Sequence, residues 1–91
     1  MKNITKKATH NDRKATAVSL KSFIETHFLV SFKEEGFDDD TNLFETGIID
    51  SFGLVELITF IESNFSKKFS SEELISPALS SITGMISLIE N

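Results

Sequence analysis

The sequence predicts an all-α domain: a small antiparallel four-helix bundle of three long helices and one short one, with a long loop between the first two. Three observations support that class. Apolar residues recur three and four positions apart in separate stretches of the chain, the period of one buried helix face. Serine or aspartate stands where those stretches begin, as helix caps do. No segment keeps the strict alternation that a half-buried strand needs.

The first helix is expected over residues 13–31, where Val18 and Leu20 lead into Phe23, Ile24, His27 and Phe28 at helical spacing. Gly36 ends that region. Residues 37–50 then read as a long irregular loop, a length uncommon in a compact domain unless the loop is pinned or functional. Leu43, Phe44, Ile48 and Ile49 are expected to pin it by burying their side chains. The second helix covers 51–65, with Leu54, Leu57, Ile58, Ile61 and Phe65 on one face. Asp50 is its N-cap, a carboxylate able to accept the unpaired N–H groups of the first turn. Ile49 and Leu54 are placed as a hydrophobic staple across that cap. Ser70 or Ser71 caps a short third helix through Glu72, Glu73, Leu74 and Ile75, stopped near Pro77. Ser81 caps the fourth, with Ile82, Met85, Ile86 and Ile89 as its apolar stripe, which Gly84 weakens slightly.

Ninety-one residues make one small domain, which buries roughly 60–65% of its unfolded surface. That supports a core but not a deep catalytic pocket with walls of its own. The absence of cysteine excludes disulfides, thiolate nucleophiles and cysteine-based metal sites, so any thiol chemistry must come from an added group. Neither a membrane-length apolar run nor a secretory leader is evident, which points to the cytoplasm. Nine phenylalanines without tyrosine or tryptophan give the core bulk with no polar aromatic tip to satisfy.

Charge divides the chain. Residues 1–21 hold six of the nine Lys and Arg against Asp12 alone, a net +5, and residues 22–91 hold three against thirteen acids, a net −10. An acidic body suits docking to basic patches on proteins and repels nucleic acid. Residues 1–12 are polar and aperiodic. They read as a disordered, solubilising basic tail rather than a nucleic-acid or membrane arm, leaving 13–91 as the folded domain.

Ser51 stands where a serine carries chemistry. It follows the turn-like Gly47-Ile48-Ile49-Asp50 and opens the second helix, with its hydroxyl on an exposed corner. Free N–H groups and the positive dipole end suit a phosphodiester there. Rival chemistries fit less well. Asp38, Asp40 and Asn42 resemble the start of a calcium loop, but the glycine and glutamate such a loop needs are Leu43 and Ile49 here. The run reads instead as a solvated acidic loop in which Thr41 or Asp40 makes a local turn bond. A serine hydrolase needs a base and an oxyanion hole. His10 falls in the tail, His27 reads as a packed or half-exposed structural histidine, and no Gly-x-Ser-x-Gly elbow exists.

The stretch around Asp50-Ser51 resembles the attachment motif of acyl and peptidyl carrier proteins. The likeness runs from Val18 to Ile89 through Leu43-Phe44, Gly47, Val55-Glu56-Leu57, Ile61-Glu62, Phe65 and the closing Ile82, Ile86 and Ile89. The resemblance implies a free-standing, non-catalytic carrier that bears 4′-phosphopantetheine, derived from coenzyme A, on Ser51. Acyl or aminoacyl intermediates would ride as thioesters on that arm. Its implied partners are a phosphopantetheinyl transferase, an adenylate-forming ligase, and downstream acyltransferase, condensing or synthase enzymes. It further implies that Asp50 contacts the transferase, through the metal of that enzyme, rather than stabilising the attached phosphate, since like charges repel. Phe52, where leucine is commonest, is similar to the D-alanyl carrier branch, and Gly53 and Thr59 also depart from the fatty-acid carriers.

Phe52, Val55 and Thr59, with Glu56 beside them, fall on the side of the second helix away from its apolar stripe. Either the 37–49 loop covers them, or they form a small exposed patch beside Ser51 where partner enzymes dock. The carrier resemblance favours docking. A monomer is expected. The competing hypothesis from another class is a helical interaction or regulatory module that is never modified.

Overall fold

The computed structural model describes residues 10–90, and every regular element among them is helical. Five α-helices, α1 (His10–Phe28), α2 (Phe32–Glu35), α3 (Ser51–Phe65), α4 (Ser71–Leu74) and α5 (Ile82–Glu90), are joined by a 3₁₀ turn over Pro77–Ser80. The predicted tail at residues 1–12 lies outside the described residues as far as residue 9, and α1 already begins at His10, three positions ahead of the expected start. Among the described residues no helix is long and apolar enough to cross a membrane.

The first helix is shorter at its far end than its pattern predicts. It stops at Phe28 because Leu29 adopts the left-handed conformation, φ 59°, and the Val30 N–H reaches back to the Glu25 carbonyl at 3.1 Å. That six-residue closure is the bond of a Schellman ending, made here without glycine. Ser31, expected inside the first helix, instead caps α2 by accepting the Glu34 N–H at 3.2 Å. The Glu25 carboxylate accepts the Phe32 N–H at 2.7 Å, tying the new helix to the old. Gly36 closes α2 at φ 76°, where a side chain would be strained.

Residues 37–50 form the expected loop, pinned in two ways. Leu43 and Ile49 are buried and Ile48 is half-buried, but Phe44 stays exposed, so the fourth predicted anchor is not one. The missing hold comes from backbone: the Leu43 N–H donates to the Ser80 carbonyl at 2.8 Å, and the Thr83 N–H donates to the Asp39 carbonyl at 2.9 Å. Lys21 adds an ion pair with Asp39 at 2.6 Å.

The capping box of α4 is complete, with Ser70 Oγ accepting the Glu73 N–H at 3.1 Å and Glu73 Oε1 accepting the Ser70 N–H at 2.9 Å. Pro77 does not merely stop this helix. It opens the 3₁₀ turn, whose Leu79 is buried, in the first-turn position proline tolerates. Ser81 Oγ accepts the Gly84 N–H at 3.1 Å and so caps α5 as expected. Gly84 is more than a weak point: a Cβ there would lie 2.0 Å from the Ala78 carbonyl oxygen. Only glycine lets α5 approach the 3₁₀ turn this closely.

The core gathers Leu20 and Ile24 of α1, Leu57 and Ile61 of α3, and Ile82, Met85, Ile86 and Leu88 of α5, with Leu79, Phe32, Leu43, Ile49 and Phe69 around them. Ile89, expected in the stripe of α5, is half-buried, and Leu88 takes its place. Burial on one side of α3 leaves its other side to the site.

Candidate functional site

The approach to Ser51 is built from local bonds. Gly47 sits at φ 84°, and its N–H donates to the Phe44 carbonyl at 3.1 Å, reversing the chain. Thr46 Oγ1 donates to the Leu43 carbonyl at 2.8 Å and accepts the Ile48 N–H at 3.2 Å. Ile49 is driven into the core, its N–H on the Leu43 carbonyl at 3.2 Å. Asp50 is extended, φ −108° and ψ −170°, and its Oδ1 accepts the Gly53 N–H at 2.8 Å. Its carbonyl accepts the Leu54 N–H at 2.8 Å. The cap is therefore as predicted, and Ser51 is the first residue of α3, exposed to solvent.

Beside Ser51 opens a shallow hollow of about 280 Å³, lined by Phe44, Ile49, Asp50, Ser51 and Leu54. The two staple residues thus share one wall. Phe44, whose exposure looked like a failed anchor, faces the same space. Gly53 is buried under α1, and a Cβ added to it would meet the Phe28 ring at 2.7 Å. Its departure from the carrier pattern is the consequence of an aromatic ring pressed onto the first turn of α3.

The loop does not cover the outer side of α3. Phe52 is 83% exposed and Val55 62%. Thr59 is exposed too, but its hydroxyl donates to the Val55 carbonyl at 2.9 Å, a back-bond that satisfies it within the helix. Glu56 is not free: its Oε1 accepts from His27 Nε2 of α1 at 2.6 Å. Reasoning from sequence missed that contact, for nothing local marks a partner 29 residues away. His27 is the half-exposed structural residue expected, stacked on Phe23 with ring centroids 5.0 Å apart.

Asp38 is occupied by its own turn, as expected of a solvated loop. Its Oδ1 accepts the Asp40 N–H at 2.9 Å and the Thr41 hydroxyl at 3.2 Å. Among the described residues no group of three or more His, Cys, Asp or Glu is arranged to hold a metal ion.

The residues around Ser51 fit a phosphodiester. The serine is open to solvent, the first turn after the cap carries no acid, and the hollow leaves room for an attached chain. A small helical domain that displays a capped, helix-opening serine beside an open hollow, with no acid in the turn that follows, suits a carrier of an attached group. The family model for the phosphopantetheine attachment site matches residues 29–89, and the chain belongs to that family. Its domains bear covalently attached 4′-phosphopantetheine and are non-catalytic carriers that work with modifying and synthase enzymes. No curated protein and no solved structure matches the chain.

Proposed function

We propose that this protein carries acyl or aminoacyl intermediates on a 4′-phosphopantetheine arm attached to the Ser51 hydroxyl, passing them between partner enzymes in the cytoplasm. The observation that carries this reading is the exposed serine at the start of α3, behind the Asp50 cap and beside the open hollow. When bound, the arm supplies a terminal thiol that holds cargo as a thioester. The protein supplies a rigid handle, and the tether raises the effective concentration of cargo at each active site.

In this reading Asp50 is the contact for the phosphopantetheinyl transferase, and the exposed side of α3, led by Phe52 and Val55 with Glu56 and Thr59 on its flank, is the docking surface. Its partners are that transferase, an adenylate-forming ligase, and acyltransferase, condensing or synthase enzymes downstream. The domain acts as a monomer, its helices forming an antiparallel four-helix bundle with α2 and the 3₁₀ turn as additions. Phe52, and a docking helix poor in acids, favour a D-alanyl, aminoacyl or specialised-metabolite cargo over housekeeping fatty-acid synthesis.

Incubation with coenzyme A and a broad-specificity transferase tests the assignment. One phosphopantetheine should be added at Ser51, located by mass spectrometry of peptides. Ser51→Ala should remain folded and unmodified, because an exposed helix-start serine contributes little to packing. Addition at another serine overturns the site, and no addition favours an unmodified interaction module. For the docking face, Val55→Ala should cost about 0.5–1 kcal/mol of stability while slowing transfer to or from partners.

A further inference from the structure

α3 contains two carboxylates, and both are engaged within the chain. Glu62 accepts the Phe69 N–H at 3.0 Å, and Glu56 accepts from His27 Nε2 at 2.6 Å. The imidazole is held in place by two rings of its own helix, one of them braced in turn by a ring of α3. It stacks on Phe23 and meets the edge of Phe28 at 5.0 Å, and Phe23 in turn stacks on Phe60 of α3 at 4.3 Å. A ring so clamped keeps its nitrogen aimed at Glu56 without losing side-chain freedom when a partner arrives. With the Thr59 hydroxyl turned to its own backbone, what the outer side of α3 offers beside Ser51 is the apolar surface of Phe52 and Val55.

We propose that His27 is a specificity-determining positioning residue: it holds Glu56 against α1, so that this face selects a partner by apolar contact rather than by a basic cluster. The inference rests on the docking role proposed above for α3. The partner it fits is an enzyme surface with an apolar pocket for Phe52 and Val55 and no cation placed against Glu56. The body is acidic as a whole, but both carboxylates of α3 are already bonded, so the local charge pattern of this face supports the choice. A basic residue reaching Glu56 would compete with the imidazole for the carboxylate, whereas an apolar pocket meets a carboxylate whose Oε1 is already paired and loses less to desolvation.

The experiment is steady-state loading of the full-length protein by a phosphopantetheinyl transferase with coenzyme A, at constant pH, with melting temperatures measured alongside. His27→Phe keeps a ring in the aromatic stack but lacks the donor. Its freed carboxylate should raise KM by about tenfold, the scale of one unpaired polar group at a contact, with kcat unchanged because Ser51 is untouched. His27→Gln, which retains a donor, should stay near wild type, and adding Glu56→Gln to His27→Phe should restore KM. An unchanged or lowered KM in His27→Phe overturns the inference, as does failure of the double variant to recover. Independently of any variant, isotope-labelled wild type titrated with the transferase should show shifts at Phe52 and Val55 and none at the Glu56 carboxyl carbon. Movement of that carbon means that a partner cation takes Glu56, and overturns the proposal. Wild type that is folded but never loaded overturns the carrier function itself, a different outcome from loading that ignores His27.

Discussion

Ser51 and Ser71 each stand first in a helix behind an oxygen-bearing cap, and their surroundings have little else in common. Behind Ser51, Asp50 closes the first turn with one bond to Gly53, and no other acid lies in that turn. Behind Ser71, Ser70 and Glu73 bond reciprocally, Glu72 adds a second carboxylate, and Lys67 donates to Glu73 at 3.0 Å. A phosphate on Ser71 would face two acids in its own turn, at the end of a four-residue helix with little dipole to offset them. A phosphate on Ser51 would meet fifteen residues of helix and an open hollow. A cap makes a helix start, but the side chains of the first turn decide whether that start accepts an anion.

The comparison extends beneath the two helices, and the largest expected effect tests it there. Leu57 of α3 is fully buried and Leu74 of α4 is 39% exposed. Leu57→Ala should cost about 2–5 kcal/mol in denaturant unfolding, and Leu74→Ala well under about 1 kcal/mol. Equal losses would show that α4 is anchored in the core as firmly as α3.

Next comes the first turn of α3 itself. By helix propensity alone Gly53→Ala would stabilise by about 1 kcal/mol. With the Phe28 ring 2.7 Å from the new methyl, it should instead lower stability by about 1–3 kcal/mol, the cost of overpacking. A raised melting temperature would mean the ring yields freely, and that α1 does not brace the serine.

The two caps should then part company in function rather than stability. Asp50→Ala and Ser70→Ala should each cost about 1 kcal/mol. Only Asp50→Ala should also slow loading by the transferase. Equal loading rates for the two variants would remove Asp50 from partner recognition.

The smallest effect is a response to acid in α4. The backbone bond from Ser70, followed by the side-chain bond from Lys67, holds the Glu73 carboxyl below its ordinary value of 4.5. A lowered folded value means the folded state binds fewer protons, so this contribution is complete above about pH 4.5 and fades as pH falls through the folded value. Protection of the Ser70 and Glu73 amides from exchange, relative to their intrinsic rates, should fall over that range, and Glu73→Gln should abolish the change. Unchanged protection at Ser70 would mean that the ionised carboxylate adds nothing to this cap.

Much of the site was legible because it is local. Asp50, Ser51, Ile49 and Leu54 lie within six positions, and a cap and staple are bonds between near neighbours that side-chain type alone dictates. The end of the first helix was not legible, because Leu29 takes a conformation usually left to glycine or asparagine, and the Glu25 bonds to Val30 and Phe32 that accompany it leave no mark in residue type. The 3₁₀ turn at Pro77 was hidden for a related reason: proline ends one helix as readily as it opens the next.

By itself the sequence determined the all-helical class, the starts of α3, α4 and α5, the buried side of α3 with Leu57 and Ile61, and the serine at its head. Each comes from residue type and from spacings of three or four, which bond and pack within a turn or two. Tertiary structure alone decided that the outer side of α3 stays uncovered, that His27 holds Glu56, that Phe28 demands glycine at position 53, and that Ala78 demands it at position 84. These depend on how closely separate segments approach, and that distance is set by the packing of the whole core rather than by any stretch of the chain.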